Sequence, residues 1–345
     1  MLKMYKDWLC FEFPEVHPHA RCAIAFNRTL RIPDDNKAYP LPPKLGSFPL
    51  RAIDDYAERV PEPWARHGGV FLPLYPSEAL WIELRGRAAV PRHLQVAGDE
   101  QEPGYIYPCA IKIATGKVNA ITGQPWQNGL STTTQDYIVV PDQRWLDGYN
   151  VATGLVRQFV ATTLGSGHSV ESQLTGLAAH GGLQVAVYPM KPEHYAAYCR
   201  ERDETAEVRF SLRFGEPAER EVELSAGGLI RQEIARDRFG SDAWAPDCVS
   251  RCFVHLLNTH QYQAVTGERP PHAPFAASDY VQAGLPWFHV YSDDEAVEGS
   301  PTLAGVHSIA AMTATQTGEP MRDNASLGPL PVTVLGKKTV RQEPF

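Results

Sequence analysis

The chain has 345 residues, of which 43% are hydrophobic and 21% are charged, as is usual for a globular protein that buries a core. Its formal net charge of −8 argues against a general nucleic-acid binder, which needs a basic surface, and against docking on anionic lipid. The sequence contains no apolar run of membrane-spanning length and no recognisable export signal, so we expect a soluble, cytoplasmic protein whose six cysteines are reduced thiols.

Glycine and proline punctuate many short apolar runs, a pattern that favours short strands over long helices. Residues 27–50 carry five prolines and predict an extended strap, and residues 53–60 predict a short helix. The strands predicted next lie at 70–75, 79–84, 109–114, 118–122, 136–140, 155–164 and 183–189. A glycine turn joins the third and fourth of these as a hairpin, and Trp81 and Glu83 alternate with aliphatic residues in the second.

A helix is predicted over 192–204, where Pro192 begins a stretch free of glycine. The strands predicted after it lie at 207–214, 219–224, 229–236, 251–257, 287–291 and 331–335. The fold class we expect is mainly β, a sandwich or two packed β lobes with few short helices. The helix favours an N-terminal lobe with the strap at 1–205 and a C-terminal lobe at 206–345, and a single domain is the alternative.

Two segments echo each other, since 154–161 and 228–235 share the pattern G-L-x-R-Q-x-x-A. On strands, Gln158 and Gln232 would each lie between two β-branched residues on one face. Coincidence is one explanation of the echo. If the faces are buried, each glutamine ties down an irregular loop edge or the two strands line a shared polar cavity. The ligand contacts expected for such a cavity are Arg157, Gln158, Arg231, Gln232 and Trp145.

Other residues suggest acid–base or metal chemistry, although ordinary structural roles explain them as well. The candidate catalytic carboxylates are Glu171, Asp147 and Glu233. The candidate metal ligands are Cys248, Cys252, His255 and His260, and separately the H-x-H pair His17 and His19. Neither set has the spacing of a zinc motif, and on a strand Cys252 and His255 would point to opposite faces. We therefore expect no metal and no cofactor.

Several longer phrases resemble a family of functionally uncharacterised bacterial and fungal proteins. They include VRQFVA, GSG, VESQLTG and GGLQ between residues 156 and 184, and RCFVH, TGERPP and GLPWF between residues 251 and 288. The resemblance covers most of the chain. It implies a stand-alone protein whose framework contains these phrases, and it implies no catalytic residue, substrate or cofactor.

Three functional classes remain open from the sequence. The first is a ligand-binding or interaction protein with a polar cleft between strands, whose partner is a small molecule such as a sugar or an anion. The second is a hydrolase or isomerase that uses a carboxylate as acid or base. The third is a structural or self-assembling protein. Nucleic acid and membrane are not among the expected partners, and the sequence does not indicate an oligomeric state.

Overall fold

The computed structural model describes residues 1–75, 77–86, 106–162, 165–203, 223–269, 276–290, 295–319, 321 and 324–335. Its strands are β1 (Leu2–Tyr5), β2 (Trp8–Glu12), β3 (Arg21–Leu30), β4 (Ala38–Tyr39), β5 (Lys44–Ser47), β6 (Arg51–Ala52), β7 (Val70–Pro73), β8 (Glu78–Arg85), β9 (Cys109–Thr115), β10 (Val118–Asn119), β11 (Ile138–Val140), β12 (Trp145–Leu146), β13 (Gly148–Ala152), β14 (Leu155–Thr162), β15 (Leu183–Pro189), β16 (Glu223–Arg231), β17 (Ser250–Leu257), β18 (Trp287–Val290) and β19 (Val332–Leu335). Its helices are α1 (Glu62–His67), α2 (Val170–Thr175), α3 (Pro192–Asp203), α4 (Thr259–Thr266), α5 (Ala277–Gln282), α6 (Pro301–Ala304) and α7 (Ile309–Thr317), with 3-10 turns at Ile53–Tyr56 and Ser241–Ala243.

Within these ranges the strands form two main sheets and a two-stranded ribbon. We call the ten-stranded sheet the large sheet and the seven-stranded sheet the small sheet. The large sheet has ten strands in the order β1-β2-β3-β8-β14-β16-β4, with β5, β12 and β13 paired beside β3, β8 and β14. The small sheet has seven, in the order β10-β9-β15-β17-β7-β6, with β11 beside β9. Strands β18 and β19 pair as a parallel ribbon.

The two main sheets enclose one hydrophobic core. Aliphatic side chains of β3, β8 and β14 share a buried cluster with those of β9, β15 and β17. Alternation along each strand turns every second side chain into this layer, and burial of apolar surface is the main stabilising term. The prediction of a mainly β protein with packed sheets and few short helices is confirmed.

Both main sheets draw strands from before and after residue 205. Strand β16 pairs with β14 and with the short β4, and β17 pairs with β15 and β7. The sheets therefore do not separate at the boundary suggested by α3, which lies between the strands β15 and β16 of different sheets.

The predicted hairpin at 109–122 is present as β9 and β10. Thr115 pairs with Val118, which leaves a two-residue turn. Gly116 has φ 52° and Lys117 has φ 59°. Two consecutive positive φ values suit the tight turn whose twist matches that of the flanking strands, and glycine adopts the first without steric cost.

Several short helices outside the sheets begin at side-chain caps. Asn258 accepts a hydrogen bond from the Gln261 N–H at the start of α4, and Ser308 accepts one from the Ala311 N–H at the start of α7. These caps satisfy N–H groups that the first helical turn leaves free. None of the helices in the described part of the chain is both long and apolar enough to cross a bilayer.

Several local predictions need correction. The strap begins later than predicted, because β3 continues to Leu30 and the first proline follows only at Pro33. The helix predicted over 53–60 is a single 3-10 turn at Ile53–Tyr56. The strand predicted over 229–236 ends at Arg231, after which the chain follows an irregular path. The alternating segment 207–214 lies outside the described residues.

Candidate ligand-binding face

A row of side chains crosses four neighbouring strands of the large sheet. Register pairs Trp8 of β2 with Ala25 of β3, and Ala25 with Glu83 of β8. Glu83 in turn pairs with Trp145 of β12. Directly opposed residues share a face of the sheet, so the four side chains stand in line. With strands about 4.8 Å apart, the two ends of the row are about 14 Å apart.

This row lies on the face turned away from the core. Leu80, Ile82 and Leu84 of β8 are buried in the cluster between the sheets. Glu83 and Trp81, which alternate with them in the sequence, therefore point outward.

A second row runs beside the first. Asn27 of β3 pairs on one side with Ser47 of β5 and on the other with Trp81 of β8. The Ser47 hydroxyl also donates a hydrogen bond of 2.8 Å to the Asn27 side-chain carbonyl. We call the surface formed by Trp8, Asn27, Trp81, Glu83 and Trp145 the tryptophan face.

Glu83 is the carboxylate to which the polar side chains around the tryptophan face bond. Its carboxylate accepts hydrogen bonds from Asn27 Nδ2 at 3.0 Å and Lys44 Nζ at 2.5 Å, and two from the Arg85 guanidinium at 2.9 and 2.7 Å. Burial alone would raise the pKa of Glu83, but the bonds and charges of Lys44 and Arg85 outweigh it and lower that pKa. Glu83 is therefore ionised at neutral pH, with its lone pairs occupied by donors.

The three indoles are partly exposed, and their neighbours hold them in place. The Arg85 guanidinium lies over the Trp8 ring, 4.5 Å from its centroid. Trp81 and Trp145 meet edge to face, with centroids 6.5 Å apart and planes at 79°. Their indole N–H groups are buried and have no hydrogen-bond partner within the described ranges. Cation–π and edge-to-face contacts of this kind stabilise the rings in these positions.

Of the residues predicted to bind a ligand, Trp145 lies on this face, whereas the two glutamines have a backbone role. Gln158 accepts the Ile32 N–H at 2.9 Å and donates to the Leu30 carbonyl at 3.0 Å. Gln232 accepts the Asp147 N–H at 3.0 Å and donates to the Trp145 carbonyl at 3.4 Å. Each amide thus bridges a carbonyl and the N–H two residues later, as a neighbouring strand would. We call these contacts glutamine clamps.

The two echoing segments pair with each other next to the clamps. Within the echoing segments, Val156 corresponds to Ile230, and these two residues are directly paired in β14 and β16. Leu155 pairs with Arg231, and Arg157 with Leu229. This pairing is symmetric about the Val156–Ile230 pair, and the symmetry ends at the register shift between Arg157 and Phe159.

Two further glutamines clamp the irregular segment after β16. Gln143 donates to the Glu233 carbonyl at 3.3 Å and accepts the Ala235 N–H at 2.8 Å. Gln135 donates to the Ala235 carbonyl at 3.0 Å and accepts the Asp237 N–H at 2.8 Å. One edge of residues 233–237 is thus paired with side chains, whereas on the other edge Ile234 and Arg236 bond to the backbone of Val297 and Glu295.

The charged residues of the echo are not gathered into one cleft. Arg157 is mostly buried and bonds to the Asp34 carboxylate at 2.9 Å and the Gly227 carbonyl at 3.1 Å. Arg231 and Glu233 are exposed. The arginines and glutamines named from the sequence therefore do not line a common cavity with Trp145, because two of them are used as clamps and one is held in an ion pair.

Asp147 is a buried carboxyl between β12 and β13. Its side chain is nearly inaccessible, and Oδ1 has no hydrogen-bond partner in the described part of the protein. Its backbone is fully used, since the N–H bonds to Gln232 and the carbonyl accepts the Phe159 N–H at 2.9 Å. Burial raises the pKa of Asp147 to about 8, so the group is mostly protonated at neutral pH.

Glu171 is a buried carboxylate in the first turn of α2. Its two oxygens accept three consecutive backbone N–H groups, those of Ala179, His180 and Gly181, at 2.8–2.9 Å. Successive N–H groups that converge on one anion form a nest. A small cavity adjoins the carboxylate, lined in part by Thr115. Because its oxygens are occupied by the loop, Glu171 fixes the chain between α2 and β15.

The candidate zinc ligands are divided between two faces of β17. Cys252 lies in the core, whereas His255 lies on the outer side, stacked between the rings of Trp64 at 4.2 Å and Phe253 at 4.8 Å. His255 Nε2 donates to the Gly68 carbonyl at 3.2 Å, and burial lowers the pKa of this imidazole to about 4.

The remaining candidate ligands lie apart from these two. Cys248 precedes β17 and is half-buried, and His260 lies in α4. His17 packs on Tyr107 and Tyr195, and its Nδ1 accepts the His19 N–H at 3.1 Å. Across the described ranges, no three histidine, cysteine or acidic side chains are grouped as a metal site.

Comparisons with known proteins leave the family and the activity open. No family model, no curated protein and no solved structure matches the chain. The resemblance carried by the VRQFVA and GLPWF phrases therefore stays a prediction.

Sequence reasoning missed most of the tryptophan face. The alternation in β8 already placed Trp81 and Glu83 on one side of a strand. Nothing in the sequence indicated that Trp8, Asn27 and Lys44 belong to the same surface, because the pairing of β2, β3, β5 and β8 connects residues far apart in the chain.

Proposed function

We propose that the protein is a ligand-binding protein that takes a carbohydrate-like ligand on the tryptophan face. The observation that supports this is the row in which Trp8 and Trp145 stand about 14 Å apart with Glu83 between them. Partly exposed indoles offer apolar faces on which the C–H surface of a sugar ring stacks. The span between the ends of the row fits an oligosaccharide better than a single ring.

Polar groups beside the indoles give such a ligand its hydrogen bonds. Ser47 and Arg85 are partly exposed on this surface, and each carries groups that pair with hydroxyls, whereas Asn27 is fully buried and bonds to Ser47 and Glu83. The contacts that Glu83 makes with Arg85 and Lys44 hold these donors in fixed positions, which reduces the entropy lost on binding. This combination of aromatic faces and ordered polar groups is the composition expected of a small-molecule site.

The carboxylate chemistry on this face favours binding over hydrolysis. Glu83 already accepts four hydrogen bonds, and its pKa is lowered despite its burial. A general acid needs a raised pKa, and a nucleophile needs a free lone pair directed at the substrate. Glu83 therefore acts as a positioning residue for Lys44 and Arg85 in this proposal.

Calorimetric titration of the full chain with a panel of neutral and acidic oligosaccharides tests the proposal. We expect at least one member to bind, and Trp145→Ala to weaken that binding about three- to tenfold, since a well-placed aromatic contact contributes about 0.5–1.5 kcal/mol. Trp64→Ala is the matched control, because Trp64 is also partly exposed but packs on His255 outside the small sheet. Equal losses in the two variants, or no binding by the unaltered protein, would refute the proposal.

A further inference from the structure

Two of the six cysteines meet in the core, one from each main sheet. Cys22 lies in β3 of the large sheet, and Cys109 begins β9 of the small sheet. Both side chains are fully buried in the same cluster between the sheets. The Cys22 thiol interacts with the Cys109 thiol, and burial, followed by this contact, raises the pKa of Cys22 well above its usual value.

The other cysteines are placed differently. Cys10 is in the strand next to Cys22, but register pairs it with Ala23, so it lies on the opposite face of the large sheet. Cys252 points into the core from β17, where its thiol contacts the Phe253 carbonyl at 3.4 Å. All six are free thiols.

We propose that Cys22 and Cys109 are a disulfide site that cross-links the two sheets when the chain folds in the presence of a small-molecule disulfide such as oxidised glutathione. The thiolate of one cysteine attacks a sulfur of the glutathione disulfide and releases one glutathione thiolate. The thiolate of the other cysteine then attacks the protein sulfur of this mixed disulfide and releases the second. The protein loses two electrons and two protons, and one glutathione disulfide becomes two glutathione thiols.

Burial determines when this reaction takes place. In the folded chain neither sulfur is accessible, and a buried thiol is not the reactive thiolate. The exchange therefore belongs to the folding chain, in which both thiols meet solvent until the sheets close on each other. Once formed, the bond is shielded from reductants by the same core.

A bond at this position has a measurable effect on stability. The two cysteines are separated by 86 residues, so a cross-link between them restricts a large part of the unfolded chain. We expect the oxidised protein to unfold at a temperature higher by on the order of 5–10 °C than the reduced protein.

The experiment refolds the urea-unfolded full chain with either a glutathione redox buffer or dithiothreitol. Free thiols are then alkylated under denaturing conditions, and peptides are mapped by mass spectrometry without reduction. We expect four alkylated cysteines and one cross-linked peptide pair, Cys22 with Cys109, after refolding in glutathione. Cys22→Ala and Cys109→Ala should lose the cross-link and the added thermal stability, whereas Cys10→Ala should retain both.

Two outcomes would overturn the inference. One is a natively refolded chain with six alkylated cysteines after refolding in glutathione. The other is a mixture of pairings in which Cys22 and Cys109 are not preferred. Mapping of the unaltered protein decides between these results even where an alanine variant fails to fold.

Discussion

Replacing Asp147 with asparagine should stabilise the protein, and the gain should grow with pH. The carboxyl has a pKa of about 8 in the folded chain because burial disfavours its charged form. In the unfolded chain the pKa is about 3.9. Between these values the folded state holds a proton that the unfolded state has released. Stability therefore falls by about 1.4 kcal/mol per pH unit as the pH rises from 4 towards 8.

Asparagine has nearly the same shape and does not ionise. The free energy of unfolding of Asp147→Asn, relative to the unaltered protein, should increase from pH 4 to pH 7 by about 4 kcal/mol. Any effect of the amide that does not depend on pH cancels from this comparison.

Urea unfolding followed by circular dichroism at several pH values between 4 and 8 measures this change. Glu233→Gln is the matched control, because Glu233 follows Gln232 closely but is exposed, and its replacement should leave the pH dependence unaltered. Parallel pH profiles for the unaltered protein and Asp147→Asn would contradict the argument that this carboxyl is buried and protonated.

Three further substitutions test buried polar contacts by urea unfolding at neutral pH. Glu78→Gln removes the charge that pairs with Arg28 inside the core and should lower the free energy of unfolding by about 3–5 kcal/mol. The double variant Arg28→Met with Glu78→Leu should lose much less, because it leaves no unpaired charge; equal losses in the single and double variants would refute this reasoning. Glu171→Ala leaves three loop N–H groups without their acceptor and should lower the free energy of unfolding by several kcal/mol, part of which added acetate should restore. A change of less than about 0.5 kcal/mol, as for a neutral surface substitution, would show that the carboxylate is not structural. Gln158→Glu removes the donor of one clamp and should cost about 1–3 kcal/mol. Gln232→Glu should cost a similar amount, because Gln232 makes the same pair of backbone contacts; a large difference would argue against equivalent roles.

The strands could be predicted because their signal is local. Alternation in β8 and the glycine turn of the β9–β10 hairpin are contained within a few residues, so the fold class and these strands followed from the sequence. Helices α4 and α7 were missed because they are short and weakly patterned, and a cap such as Asn258 is recognisable only when the helix is already suspected.

The candidate site was predicted only in part, because its assembly depends on register between distant strands. Ile230 and Ile234, on either side of Gln232, are both buried in the core as expected. The expectation for Gln158 was wrong, because the register shift before Phe159 turns Val160 to the face opposite Val156. Tying down loop edges was one of the alternatives that the sequence left open for both glutamines. Their partners near Ile32 and Asp147 belong to segments that lie far away in sequence, so no local pattern identified them.

The glutamine clamps have a consequence for how this protein behaves in concentrated solution. A strand edge with unpaired N–H and carbonyl groups is a template on which another chain adds and aggregation begins. A side-chain amide provides the missing donor and acceptor but no continuing backbone, so pairing stops there. Along residues 233–237 the amides of Gln135 and Gln143 occupy the groups that an incoming strand would use. Loss of these amides would leave this backbone edge without partners, and its groups would then be open to pairing with another strand.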